Sequence, residues 1–286
     1  MREYKIKLVS KRGELIISKD SVCKLLSGGL VGFDCAGFDV KIGSYAVGTG
    51  GAVTKRRFAE RELKIKFEID AVGDEAEKIR RSIISMLDPR EDLKLIIEFC
   101  GSVREIVVIP YGEADFFRAT LCDRIVVTLN FVSPLVFFSD TESRIVNFRT
   151  VASLLTFPLT FIKGVGMEVG IYRVSDTAEI TNEGDAECGI VARLRAVGGD
   201  VHSPGIRCGD KFIRTTLTLS DGDELLIDTR PKMKNITKNG ERTFMFDRDS
   251  SFFSLPISSS TMSITADEGV EFIEAEVEFV PVYFGV

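Results

Sequence analysis

The stretch Glu62-Leu-Lys-Ile-Lys-Phe-Glu-Ile69 alternates charged and apolar residues along its whole length. A period of two is typical of a β-strand that buries one face. We therefore expect a strand here, with Leu63, Ile65, Phe67 and Ile69 facing a hydrophobic core. The same alternation recurs on both sides of this strand and predicts a β domain around it.

The segment that follows this strand, from about residue 74 to residue 88, has helical periodicity instead. The apolar residues that share one helical face are Ile79, Ile83, Met86 and Leu87. Asp74 is a suitable N-cap, and Pro89 stops the helix. Further strand patterns cover residues 4–8, 14–17, 93–99, 103–109 and 124–132. The Gly-rich residues 28–51 predict an irregular, mobile loop, because glycine has the greatest backbone freedom.

The second half of the chain has turn signals every 8–15 residues, with short alternating runs between them. Many short strands at this spacing predict an antiparallel sandwich. Asn239-Gly240 predicts a tight hairpin. Up to Asp140 there are 22 basic and 21 acidic residues, whereas the remainder has 15 and 22. This shift places a domain boundary near residue 140, so we expect domains at 1–140 and 141–286.

Composition excludes several classes of protein. A chain of 286 residues that is 44% hydrophobic and 28% charged is typical of a folded globular protein rather than a disordered one. The net charge of −6 disfavours sequence-independent DNA binding. The sequence has one histidine, His202, which excludes a His-rich metal site. We expect no cofactor.

Cysteine usage and hydropathy indicate the compartment. The six cysteines contain no C-x-x-C pair, and we interpret them as free thiols in a reducing cytosol, most simply as small buried apolar side chains. The first ten residues lack the apolar core of a signal peptide. No apolar run approaches 18 residues, so we expect no membrane span.

Three chemical motifs are considered and set aside. Gly48-Thr-Gly-Gly51 lacks the G-K-[ST] of a phosphate loop. Asp221, Asp223 and Asp228 lack the spacing of an EF-hand and are better interpreted as a turn. His202 has no nucleophile-elbow motif to support a catalytic triad, so a loop histidine is the favoured interpretation.

The most unusual local feature is the basic run Lys55-Arg-Arg-Phe-Ala-Glu-Arg61. The simplest interpretation is the solvated start of a strand. The functional alternative is a subunit interface, since arginine is enriched at protein–protein contacts. Residue patterns alone therefore predict a two-domain, mainly β protein with no visible catalytic apparatus.

The order of segments adds a family resemblance. In the first domain it rests on a loop and an Arg-bearing strand, one helix, and a Pro-aromatic exit segment. These pieces are Gly37-Phe-Asp-Val-Lys-Ile-Gly43, Arg57-Phe-Ala-Glu-Arg61, the helix at 74–88 and Leu129-Asn-Phe-Val-Ser-Pro-Leu-Val-Phe-Phe138. In the second domain they are Ile180-Thr-Asn-Glu-Gly184, Leu225-Leu-Ile-Asp-Thr229, Phe252-Phe-Ser-Leu-Pro256, Met262-Ser-Ile264 and Tyr283-Phe-Gly-Val286. Together they resemble the distal tail protein family of long-tailed, non-contractile bacteriophages and prophages. Cys188-Gly189 and Ser258-Ser-Ser260 depart from the family pattern without altering the strand order.

The resemblance implies a structural virion protein and not an enzyme. It implies two β-sandwich-type domains, the first with one α-helix and the second galectin-like. The first domains would form a homohexameric ring at the tail tip, or baseplate. The ring would join the tail tube protein to the tip hub and support host-adsorption or receptor-binding proteins. DNA would only pass through its lumen, no membrane would be bound, and assembly would take place in the host bacterial cytoplasm.

Two other functions remain open at this point. The second domain could be a carbohydrate-binding module for host-surface glycan, although the absence of Trp disfavours it. The third possibility is a wall-degrading hydrolase. For the ring, we expect Arg56, Arg57 and Arg61 to lie at the subunit interface.

Overall fold

The computed structural model describes residues 4–45, 49–118, 124–153, 170–174 and 177–286. The chain divides into two compact units, Met1–Thr141 together with Val282–Val286, and Glu142–Pro281. The last five residues were expected in the second domain, and their position in the first unit corrects that assignment. The physical reason is strand pairing, since Val282 and Tyr283 pair with Ser139 and Phe138.

The first unit is built from β-strands and one α-helix. Its elements are β1 (Tyr4–Ser10), β2 (Gly13–Ile17), β3 (Cys23–Val31), β4 (Phe38–Ser44), β5 (Gly51–Phe58), β6 (Arg61–Ile69), α1 (Gly73–Met86), β7 (Leu93–Phe99), β8 (Ser102–Pro110), β9 (Asp115–Arg118), β10 (Ile125–Ser133), β11 (Phe138–Asp140) and, from the end of the chain, β26 (Val282–Tyr283). Ten of the strands form one sheet in the order β26-β11-β8-β7-β1-β2-β3-β6-β10-β9. Because β8 also pairs with β10, this sheet closes on itself as a barrel does.

The core of the first unit confirms the alternation that predicted it. Leu63, Ile65, Phe67 and Ile69 of β6 are all fully buried. β6 has partners on both sides, β3 and β10, which is the central position that a fully buried apolar face requires. The strand that was interpreted first from the sequence therefore lies in the middle of the sheet.

Helix α1 packs its apolar side on this core as predicted, since Ile83 and Met86 are buried and Ile79 and Leu87 are partly buried. The expected N-cap is wrong. Val72 occupies that position without a side-chain hydrogen bond, and Asp74 lies inside the first turn. An acidic side chain there is still favourable, because it faces the positive end of the helix dipole.

The described residues of the second unit form β-strands and one short 3-10 helix at Val270–Phe272. Its strands are β12 (Arg144–Asn147), β13 (Arg149–Ser153), β14 (Gly170–Val174), β15 (Thr177–Asn182), β16 (Ile190–Ala196), β17 (Val201–His202), β18 (Gly205–Cys208), β19 (Lys211–Arg214), β20 (Thr218–Leu219), β21 (Glu224–Asp228), β22 (Asn235–Lys238), β23 (Glu241–Arg242), β24 (Ser258–Thr265) and β25 (Ile273–Phe279). A six-stranded sheet runs β12-β25-β16-β21-β22-β23, and a four-stranded sheet runs β15-β24-β18-β19. Alternate residues are buried along β16 and β25, as expected where sheets share a core.

The predicted fold class, mainly β with one α-helix, is confirmed for the described residues. The galectin-like character of the second unit stays a prediction. Among the described residues, α1 is too short and too polar to cross a membrane, and no other helix is a candidate.

The cysteines only partly follow the expectation of small buried side chains. Cys23, Cys188 and Cys208 are free and buried, whereas Cys35 and Cys100 are free and exposed. Burial raises the pKa of Cys23 to about 11, so that thiol stays protonated near neutral pH. Cys122 lies outside the described residues.

Candidate functional site

Strands β4 and β5 form a hairpin that is separate from the ten-stranded sheet. They pair only with each other within the described part of the chain. At the base, Phe38 is opposite Phe58, and the Ala59 amide donates to the Gly37 carbonyl over 2.7 Å. The sequence predicted an irregular loop across residues 28–51. That prediction is wrong for β3, β4 and the start of β5, which are strands, although their pairing shifts register between Leu25 and Leu30 and between Lys41 and Ile42.

One face of this hairpin is apolar and open to solvent. Phe38, Val40 and Ile42 occupy alternate positions of β4 and are 70%, 53% and 66% exposed. Val53 lies opposite Ile42 and is exposed as well. Single exposed apolar residues are ordinary, but a contiguous row marks an interaction surface. A two-stranded hairpin is also marginal by itself in water, so contacts beyond its own two strands must stabilise it.

The other face of the hairpin is charged. Asp39 accepts hydrogen bonds from Arg57 Nε at 2.6 Å and from Lys55 Nζ at 3.0 Å. These bonds, the one from Arg57 first, lower the pKa of Asp39 below its usual value. Exposed ion pairs contribute little to stability. Their consequence here is that the Arg57 guanidinium is held against the hairpin.

The three arginines predicted for an interface do not form one patch. Arg56 is opposite Val40 and so lies on the apolar face, while Arg57 is opposite Asp39 on the charged face. Both side chains are exposed and stay candidates for a subunit contact. Arg61 is 1% exposed, so its side chain is not available to another subunit, which corrects its assignment.

Arg61 is instead a buried structural residue of the first unit. Its Nε donates to the Val136 carbonyl at 2.6 Å, its Nη1 donates to the Gly32 carbonyl at 2.8 Å, and its Nη2 donates to the Phe284 carbonyl. The guanidinium also lies over the Phe138 ring, 4.7 Å from the centroid. The sequence contains a signal for this burial. Arg61 alternates in phase with Leu63 and Ile65 and therefore belongs to the buried face of β6.

The other candidate residues are engaged in structural contacts. His202 lies in the short strand β17, not in a loop, and its Nδ1 is 2.9 Å from Thr218 Oγ1. Asp223 pairs with Lys238, and Asp228 pairs with Arg230, so these two carboxylates serve separate contacts. The part of the chain that the structure describes contains no cluster of three His, Cys, Asp or Glu side chains suited to a metal ion.

The second unit has an open polar cleft of about 500 Å³ next to the β22–β23 hairpin. Its lining residues are Leu217, Lys238, Asn239, Glu241, Arg242 and Thr243. Close to this cleft, the Arg242 guanidinium lies over the Phe244 ring, and Phe244 is 72% exposed.

Comparison with known proteins gives one family match. Residues 183–283 match the family model described as "Siphovirus-type tail component, C-terminal domain". The match covers 101 of the 286 residues. The resemblance that the sequence predicted is thereby confirmed, and the match includes the segments around Asp228, Pro256 and Ile264 on which it rested.

Solved structures extend the likeness over both units. The Dit protein of phage SPP1, described as a paradigm of the hub adsorption apparatus in phages infecting Gram-positive bacteria, has a TM-score of 0.67 at 14% identity. Two structures of the phage P2 baseplate in its activated conformation, with Ca and with Sr, give 0.51 at 11% and 0.50 at 12%. Each match covers 98% of this chain and 98% of the other. At these identities the likeness shows a shared fold. No curated protein sequence matches the chain.

Proposed function

We propose that this tail component is a structural protein of the tip of a long, non-contractile phage tail, in which six copies form a ring through their first units. The observation that carries the proposal is the exposed apolar face of the β4–β5 hairpin, in a chain whose second unit matches a siphovirus-type tail component. The likeness in fold to a phage hub protein supports the same role.

The hairpin supplies one side of the subunit contact. Its apolar face, Phe38, Val40 and Ile42, would be buried against the neighbouring subunit, with Arg56 on the same face. Arg57 would lie at the rim, where its pairing with Asp39 fixes its position. Arg61 contributes indirectly, by holding the chain just after β5.

A closed ring is built from a heterologous contact, so each subunit needs a second and different patch. Strand β9 suits this role, because it lies at one edge of the ten-stranded sheet. Phe117 of β9 is exposed. Edge strands can accept a further strand by main-chain hydrogen bonding, as in β-augmentation. We assign β9 as the surface that receives the hairpin of the next subunit.

The ring would join the tail tube to the tip hub and carry adsorption proteins, with the second, galectin-like unit outside the ring. Assembly would take place in the bacterial cytoplasm, and DNA would pass through the lumen. The near-neutral charge of the first unit, with 22 basic and 21 acidic residues up to Asp140, does not conflict with such a passage.

A single substitution on the hairpin tests the ring. Ile42→Glu places a charge on the apolar face without removing a buried contact, so the first unit should still fold while the ring is lost. Ile257→Glu is the matched control, because Ile257 is a comparably exposed isoleucine in the second unit. Light scattering should give a monomer for I42E and the wild-type mass for I257E. A full ring formed by I42E would contradict the proposal.

Mixing two defective variants tests the heterologous geometry. Phe117→Glu should block the receiving edge just as Ile42→Glu blocks the hairpin, so each variant alone should be monomeric. In an equimolar mixture, the intact hairpin of F117E can bind the intact edge of I42E. The mixture should therefore yield heterodimers and nothing larger. A mixture that stays monomeric would exclude the pairing of these two surfaces.

The alternative of a carbohydrate-binding module has one observation in its favour, the polar cleft beside Phe244. An exposed ring next to charged side chains can stack on a sugar and bond its hydroxyls. A glycan array probed with the full chain and with Phe244→Ala distinguishes the functions. Reproducible hits that the variant loses would support the module, and an empty array would remove it.

A further inference from the structure

Residues Val282–Val286, which we call the returning segment, are held in the first unit by specific contacts. Tyr283 and Val282 pair with Phe138 and Ser139 of β11. At the far end, the Val286 amide donates to the Phe33 carbonyl over 3.1 Å. Backbone hydrogen bonds therefore hold this segment at both ends, although the chain reaches it only after the whole second unit.

Two arginines hold successive carbonyl groups of the returning segment. Arg61 Nη2 donates to the Phe284 carbonyl, and Arg104 Nη1 donates to the Gly285 carbonyl. The Arg104 guanidinium also lies 3.8 Å from the centroid of the Tyr283 ring. Charged donors on backbone carbonyls make stronger hydrogen bonds than neutral donors do. These contacts therefore favour an extended backbone with an aromatic side chain.

The path of the returning segment also requires a glycine at position 285. A Cβ atom added to Gly285 would lie 1.5 Å from the Asp34 carbonyl oxygen. This is far inside van der Waals contact, and the obstacle is backbone that cannot rotate away. The close approach places Phe284, the preceding residue, against the hairpin.

Phe284 completes an aromatic cluster at the base of the β4–β5 hairpin. Its ring centroid is 5.1 Å from that of Phe58 and 5.3 Å from that of Phe137. Phe58 in turn contacts Phe137 at 5.0 Å and Phe38 at 5.7 Å. Phe38 and Phe58 are the first and last residues of the hairpin. The returning segment therefore packs directly on the point where the hairpin joins the first unit.

We propose that the returning segment orients the hairpin. A first unit whose returning segment is not bound would then have a loose hairpin and could not join a ring. Phe284 is then a positioning residue that acts through Phe58, and Arg104 holds the segment that carries Phe284. The consequence for assembly rests on the proposed function, whereas the anchoring of the hairpin does not. Because the returning segment follows the second unit in the sequence, ring assembly would wait until the second unit has been synthesised.

Hydrogen exchange of the full chain tests the anchoring. Phe284→Ala removes two aromatic contacts from the base of the hairpin, and we expect about tenfold faster amide exchange in residues 38–58. Exchange in β6 and β7 should not change. Phe99→Ala is the matched control, because it removes a stacked aromatic contact with Tyr4 in the same unit outside the cluster, and it should leave the hairpin protected. All proteins are compared in one oligomeric state, verified by light scattering.

Unchanged hairpin exchange in F284A would overturn the proposal. So would an increase spread evenly over all strands of the first unit, which would make the segment a general folding element. If F284A does not fold, Phe284→Leu keeps the bulk without the ring and should give a smaller increase confined to residues 38–58. Loose hairpins in the variant, together with a wild type that forms no ring either alone or with tail partners, would retain the anchoring and reject the ring, so the two proposals fail separately.

Discussion

Two arginines five positions apart, Arg56 and Arg61, have opposite environments in the folded chain. Arg56 is exposed on the apolar face of the hairpin, and Arg61 is buried among three carbonyl acceptors. A buried guanidinium is tolerated only when its donors are satisfied, and burial lowers the pKa of Arg61. Sequence proximity grouped the two residues, but strand phase separates them.

Replacement of Arg61 should therefore destabilise the first unit strongly. Arg61→Ala leaves the Val136, Gly32 and Phe284 carbonyls without their donor, and we expect a loss of about 3 kcal/mol in the free energy of unfolding. Arg56→Ala is the control, with an expected change within about 0.5 kcal/mol. Urea unfolding followed by circular dichroism measures both. Equal stability of the two variants would show that the buried hydrogen bonds are not needed.

Asp88 predicts how stability depends on pH. Hydrogen bonds from the Arg90 side chain and amide, with Arg12 nearby, hold the pKa of Asp88 well below its usual range. A depressed folded pKa contributes stability that is present above the unfolded value of about 4 and is lost as pH falls through the folded value. Wild type should exceed Asp88→Asn in stability at pH 6, and the gap should narrow from pH 4 downward. Thermal unfolding across this range measures it; a gap that is constant with pH would contradict the assignment.

At the scale of elements, the tight hairpin between β22 and β23 shows a local sequence signal that dictates its structure. Asn239 and Gly240 both have positive φ, 49° and 82°, as the favoured two-residue hairpin turn requires. Asn239 also accepts from the Glu224 amide at 2.8 Å, which ties the turn to β21. The turn was predictable because its requirement is local.

A substitution in this turn measures that requirement. Gly240→Ala forces an alanine into the left-handed region and should cost about 1 kcal/mol. Glu241→Ala, the exposed neighbour, should be nearly neutral. Urea unfolding that resolves the second unit distinguishes them. No difference between the two variants would mean that the turn relaxes to a different type.

Other elements show why sequence reasoning succeeds or fails. β7 at Leu93–Phe99 matches its predicted bounds, because alternation reports directly on a half-buried strand. The β4–β5 hairpin was missed because its glycines were interpreted as backbone freedom. A Cβ on Gly51 would lie 2.5 Å from the Gly43 carbonyl, so glycine there permits two strands to approach closely. Composition cannot distinguish these two uses of glycine.

At the scale of the whole molecule, the contacts that organise the candidate site join distant parts of the sequence. The pairing of Phe138 with Tyr283 spans the entire second unit. Such a contact has no local pattern, so a boundary drawn on charge left the last five residues on the wrong side. Family resemblance correctly predicted the family model that residues 183–283 match, since that signal is carried by the order of many segments.

The mass of the purified chain is the most direct test of the proposed ring of six first units. Light scattering over a hundredfold range of concentration should give about six times the 31.6 kDa protomer mass at the upper end, with rings in negative-stain images. Co-expression with tail tube and hub proteins tests whether the ring forms only in the presence of these partners. A monomer throughout, both alone and with those partners, would contradict the account.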